Sequence, residues 1–224
     1  MLSDLLLKLG DLWELILPSL LETTYMVLLS TFFSVIMGLI LGIILVITDK
    51  GHILEKPRLN KVLGSIINVM RSIPFIILII AIFPLSRLLV GTTIGSTAVI
   101  VPLSIAAAPF VARVIEASLK EVSWGVIEAS LSVGANIPQI IFKVMIPEAL
   151  PSLILGVTLT IINILGYSAM AGALGGGGLG DLAIRYGYLR FQTDVLIATI
   201  VVLIVIVELV QLTGNLLAKK FDKR

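Results

Sequence analysis

The 224-residue chain contains no cysteine, so it has neither a disulfide scaffold nor a thiolate metal site. Its single histidine, His52, leaves metal chemistry without a ligand set. Charged residues make up only 13% of the chain against 58% hydrophobic, and the mean hydropathy is +1.14, which excludes a water-soluble domain of this size. No G-x-x-x-x-G-K-[ST] run occurs, so there is no Walker A loop for ATP. The run GGGGLG, Gly175 to Gly180, follows an apolar stretch and opens no βαβ unit, which makes it a tight, mobile turn rather than a phosphate cradle. Neither a cofactor nor a metal is expected, nor a nucleic-acid partner.

What remains is an all-α integral membrane protein. About 20 apolar residues cross the hydrocarbon layer as a helix, and five stretches qualify: 20–48, 61–85, 94–115, 149–171 and 194–218. Basic residues set the orientation. Lys50, Lys56, Arg58 and Lys61, then Arg113, Lys120 and Lys143, then Lys219, Lys220, Lys223 and Arg224 fall on one side. Only Lys8, Arg87, Arg185 and Arg190 fall on the other, and Arg71 lies within a span. The positive-inside rule therefore predicts an outside N-terminus and a cytoplasmic C-terminus, with a basic tail at 219–224. Residues 1–19 carry Asp4, Asp11 and Glu14, which interrupt any signal-peptide core, so the segment is expected to stay. Its leucines Leu2, Leu5, Leu6, Leu9 and Leu12, with Trp13 before Pro18, suit either an interfacial helix or a lead-in to the first span.

Between the third and fourth spans the chain stays apolar yet cannot cross a membrane. The stretch from Val122 to Pro151 is interrupted by Gly125, Gly134, Pro138, Pro147 and Pro151 and carries Glu128, Lys143 and Glu148. Trp124, Ile127 and Leu131, with Val126 and Val133, line much of one helical surface. Gly134 suits a turn, Asn136 an N-cap, Pro138 a first helical turn, and Pro147 a stop. The prediction is a short helix, a glycine turn and a second short helix, within a cytoplasmic loop at about 118–148 of a single 20–218 domain. Such a pair either fills a groove on a partner protein or rests on lipid.

The residues Glu128, Ala129 and Ser130, then Gly134, then Ile146 and Pro147, resemble the EAA loop of bacterial ABC-importer permeases, with serine in place of the third-position alanine. In that family the loop docks on the ATPase. The resemblance implies that Glu128 makes a polar contact at the interface and Gly134 forms the turn, with Trp124, Ile127, Ala129 and Leu131 around them. "RSIPFIIL" from Arg71, "VGTTIG" from Val90, "AAPFVAR" from Ala107 with Glu116, and "GYSAMAGALGGGGLG" from Gly166 with "YGY" are similar to the permeases of methionine ABC importers, and the likeness runs from about Glu22 to the C-terminus. It implies a type I importer permease fold in the bacterial inner membrane: a homodimer of five-span subunits, two separate ATPase subunits and an external methionine-binding lipoprotein. It also implies a subunit that hydrolyses nothing itself.

Charge at membrane depth costs at least about 2.5 kcal/mol and demands a reason. Arg71 and Glu208 would lie at a similar depth, roughly 15 Å in if their helices are straight. They either pair or face separate aqueous pockets. Pro74 weakens span two beside Arg71, as Pro102 and Pro109 weaken span three. Span four offers Thr158, Thr160, Asn163, Tyr167, Ser168 and Met170, a sparsely polar lining suited to an apolar thioether, or else ordinary interhelical hydrogen bonding. Met170, among small residues, is the candidate gate. The same architecture could carry another amino acid or a short peptide. An intramembrane enzyme would need a nucleophile and base that the spans do not offer, and a passive channel would have no use for a docking loop.

Overall fold

The structure is a computed structural model that describes residues 2–222, and the side chains of 10 and 12–222. The predicted leucine positions Leu2, Leu5, Leu6 and Leu9 and the tail residues Lys223 and Arg224 lie outside these described side chains. All regular structure among the described residues is helical. Helix α1 (Leu2–Ile47) is followed by α2 (Pro57–Ser72), α3 (Phe75–Val90), α4 (Ser96–Lys120) and α5 (Trp124–Ser132). Two single turns, α6 (Ile137–Gln139) and α7 (Ile146–Glu148), flank a π-helical stretch, Ile140–Met145. Helix α8 (Leu150–Ala171) runs into a wide turn at Gly172–Gly176, then α9 (Gly178–Leu182), the π-helical Ala183–Tyr188 and finally α10 (Thr193–Phe221).

Four of the expected spans are single helices long and apolar enough to cross a membrane. The span expected at 61–85 is instead a bent pair, α2 and α3, meeting at 107°. Ile73 and Pro74 are both extended there, because Pro74 has no N–H to donate and pushes the residue before it out of the helical region. Helix α4 is the most enclosed of the spans, two-thirds buried over its apolar window, whereas α10 is only 11% buried.

The chain divides into two compact units, and α1, α4, α8 and α10 each give one part of their length to each unit. One unit comprises 1–32, 74–105 and 161–210; its core gathers Ile16, Leu179, Leu182 and Val195. The other comprises 33–73, 106–160 and 211–224. In this second unit α1 lies hard against α4: a Cβ at Gly38 would stand 2.5 Å from the Val111 side chain, and one at Gly42 2.8 Å from the Ala112 carbonyl oxygen. Small residues four apart let two backbones approach this closely, where hydrophobic driving force between helices is weak. Around that contact Val46, Val111, Ile115, Leu119, Ile127, Ile140 and Met145 form one apolar cluster.

Candidate functional site

The interrupted stretch folds into a two-helix hook. Helix α5 ends at Ser132 with Val133 as its C-cap, and Gly134 takes φ +79°, a left-handed conformation that costs a residue with a Cβ about 1–2 kcal/mol. The chain then reverses, and Asn136 caps the next turn: its Oδ1 accepts from the Gln139 backbone N–H at 3.0 Å, while the Asn136 N–H donates to Gln139 Oε1 at 2.9 Å. Beyond Asn136 the backbone stays helical through Pro147; the break before α8 comes at Ala149, at φ −85° and ψ 1°. Pro147 therefore does not stop the second helix. It lies where the π-helical stretch gives way to α7.

Trp124, Glu128, Ala129, Leu131 and Gly134 are exposed, as are Val126 and Val133. Ile127 is not: it is only 1% exposed and belongs to the apolar cluster, so it holds α5 to the molecule and presents no surface to a partner. Expecting Ile127 on the docking face was an error of face, because a nine-residue helix must bury one apolar position to stay attached at all.

Beneath the hook lies a ladder of ions that sequence reasoning did not assemble. Arg113 Nη1 lies 2.7 Å from Glu116 Oε2, Lys120 Nζ 2.9 Å from Glu116 Oε1, and Lys120 reaches Asp49 Oδ2 at 2.6 Å. Arg113 Nη2 also donates to the Gly64 carbonyl at 3.0 Å and to Asn68 Oδ1 at 2.9 Å, tying α4 to α2. The i, i+3 and i+4 spacing of Arg113, Glu116 and Lys120 was legible, whereas Asp49 as the cross-helix partner was not. Lys120, and then the Lys50 backbone N–H, hold the Asp49 carboxyl below the usual carboxylate range. His52, in the same loop, meets Trp124 edge to face at 5.4 Å; burial above all keeps its pKa below the ordinary imidazole value.

The residues expected along a path divide. Asn163 and Met170 are exposed on α8, on one face by their spacing, and Tyr167 is partly so. Ser168 is buried and its hydroxyl donates to the Leu165 carbonyl at 2.8 Å, so it is a satisfied helix residue and lines no open surface. A residue that the sequence reading passed over joins this face. Phe75, first residue of α3 after the Pro74 break, stacks on Tyr167 with ring centroids 4.4 Å apart and an interplanar angle of 9°. Arg71 and Glu208 are both exposed and fall in different compact units. Each lies on the same unbroken helix as its basic anchor, Arg71 with Lys61 on α2 and Glu208 with Lys219 on α10.

The glycine-rich turn is packed rather than loose. Gly172, Gly176, Gly178 and Gly180 are buried, Gly178 N–H donates to Glu22 Oε2 at 2.6 Å, and Leu179 N–H donates to Thr23 Oγ1 at 2.8 Å. The Gly95 N–H reaches the Gly175 carbonyl at 2.9 Å. Expecting a mobile turn missed that these glycines are there for close approach as much as for freedom: a Cβ at Gly180 would run into the Ala169 backbone.

Among the described residues no group of His, Cys, Asp and Glu could hold a metal ion. Several apolar spans, one of them broken at a proline, together with an exposed two-helix hook, make this a multi-span membrane protein. The chain belongs to the family of binding-protein-dependent transport system inner membrane components, whose profile matches residues 35–224. It is 48% identical over 94% of its length to a probable D-methionine transport system permease of Vibrio cholerae, itself covered to 94%. It is also 45% identical to the methionine import system permease of Bacillus subtilis, over 81% of this chain and 82% of that one. Among solved structures, the MetNI methionine ABC transporter in inward-facing conformations matches with a TM-score of 0.93 at 41% identity, over 95% of this chain and 99% of that chain.

Proposed function

We propose that this chain is the permease subunit of an ATP-binding-cassette importer and forms the path by which methionine crosses the inner membrane. The observation that carries the reading is the hook. A helix exposing Trp124, Glu128 and Leu131, turned by Gly134 and anchored by buried Ile127, stands in a chain similar along nearly its whole length to methionine permeases. Two copies would assemble, each receiving one ATPase subunit on α5, with a methionine-binding lipoprotein delivering substrate to the opposite face. The ATPase partner supplies all hydrolysis. The excess of basic residues around Lys50 to Lys61, Arg113 to Lys143 and the tail supports a cytoplasmic hook and C-terminus and an external N-terminus.

Phe75, Tyr167 and Met170 suit a thioether, since sulfur gains about 0.3–1.5 kcal/mol against an aromatic ring and a path with few polar groups does not trap a zwitterion. An importer of another amino acid or of a short peptide would use the same architecture. Vesicles holding the permease with its ATPase and binding protein decide between them: labelled methionine should enter only with ATP and be displaced by methionine before other amino acids. Uptake that persists without ATP, or with Glu128 and Gly134 both disrupted, would end the coupled reading.

A further inference from the structure

The loop joining α1 to α2 lies far from the hook in sequence, yet three of its residues end on the hook or its supports. Asp49 binds Lys120 at the end of α4 at 2.6 Å. Ile53 packs against the cluster that buries Ile127. The His52 ring meets Trp124, the first residue of α5, with centroids 5.4 Å apart and planes at 71°. The loop is folded back on the helix it leaves: Leu54 N–H donates to the Ile47 carbonyl at 2.8 Å and Lys56 N–H to the Thr48 carbonyl at 3.0 Å. Asn60 Nδ2 donates to the Leu45 carbonyl at 2.6 Å.

Helix α5 is nine residues long and buries only Ile127, so little else steadies the ring at its first position. Trp124 is 43% exposed, and an indole that could swing would lose rotamer freedom on docking, a cost that preorganisation removes. His52 Nδ1 is buried without a hydrogen-bond partner, so on that side the ring is held by packing.

We infer that the 48–56 loop is a second element of the coupling surface, in which His52 is the positioning residue that fixes the Trp124 ring for the docking partner. The inference rests on α5 being the docking helix. Because the contact is ring against ring, a phenyl group can replace the imidazole and a methyl group cannot. In vesicles with the ATPase and binding protein, H52A should raise the ATP hydrolysed per methionine taken up by roughly two- to tenfold, the equilibrium factor of one aromatic pair. H52F should keep the wild-type ratio. A wild-type ratio in H52A, or equal failure of H52F, overturns the inference.

If the wild-type complex imports no methionine, the transport reading fails, and a second measurement still decides the contact. Only Trp13 and Trp124 are present, so W13F makes Trp124 the sole reporter in the purified full-length chain in nanodiscs. The groups acting on His52 are Asp49 from its own loop, which favours its protonation, Lys120 from α4, which opposes it, and the Trp124 ring from α5. Trp124 emission should dim as pH falls through the imidazole titration, and H52F should abolish the change. Emission that ignores pH, or titrates equally in H52F, removes the contact on which the inference stands.

Discussion

At Gly134 the backbone sits at φ +79° and no heavy atom lies within 4 Å of where a Cβ would stand. Along 172–180 the situation reverses: Gly172 and Gly180 have ordinary negative φ, yet a Cβ on either would collide with backbone atoms. A Cβ on Gly176 would stand 2.8 Å from the Ala171 carbonyl oxygen, and one on Gly177 2.5 Å from Glu22 Oε2. The first glycine supplies a dihedral angle in open space; Gly172, Gly176 and Gly180 supply room between packed backbones, while Gly175, Gly177 and Gly178 take a positive φ within the packed turn. A surface turn therefore has substitutes, such as asparagine, that a packed turn lacks. A hook that must seat a foreign surface is built from exposed side chains on one buried anchor, whereas a turn that only joins spans is pinned on several sides.

The largest effect should come from the packed turn. Gly180→Ala forces the added methyl against the Ala169 backbone, an overpacking that costs about 1–3 kcal/mol or more. A marked drop in detergent-solubilised melting temperature, or loss of monodisperse protein, is the expected outcome. Gly134→Ala should cost about 1–2 kcal/mol through its positive φ alone, and Gly134→Asn distinctly less. Equal losses for alanine and asparagine at 134 would mean that space, not angle, matters there too. Glu22→Ala removes the carboxylate that accepts from Gly178 N–H and should cost about 0.5–2 kcal/mol, as lost caps do, read in the same melting assay. Asn136→Ala should cost about 1 kcal/mol by ending the reciprocal cap with Gln139, again as a shift in melting temperature.

The smallest effect is one of pH. His52 has its pKa lowered by burial, so the unfolded chain binds the proton more readily; the stability it contributes is present above the unfolded imidazole value and is lost as pH falls through the folded one. Asp49, lowered chiefly by its hydrogen bond to Lys120, acts in the same direction in a more acid window, below the ordinary carboxylate value. Melting temperature should therefore decline below neutrality in the wild type and decline less in H52F. A decline of the same size in H52F would place the titrating group elsewhere.

Much of the fold was legible because lipid leaves few choices: a chain this apolar with so little charge must satisfy its backbone within helices. The hook was legible from local chemistry, since Gly134 and Asn136 are residues whose conformations and hydrogen bonds are decided within a few positions. Ile127 was misplaced for the opposite reason. Which side of α5 turns inward depends on Val46, Leu119 and Met145, all outside α5 itself. Ser168 misled in the same way, since a serine pattern does not say whether the hydroxyl will close on its own helix or line a surface.

The bend at Pro74 was only half legible: proline announces a weakened helix, but its 107° needed the flanking helices to have somewhere to go. Nothing local links Asp49 to Lys120, His52 to Trp124 or Phe75 to Tyr167, because those pairings exist only after separate helices have packed. By itself the sequence determined the membrane class, the apolar stretches available as spans and the turn and cap at Gly134 and Asn136, all consequences of composition and short-range backbone chemistry. The tertiary structure decided which faces are buried, which charges meet and which glycines are spacers, because side-chain neighbours from distant segments exist only once the backbones have closed on one another.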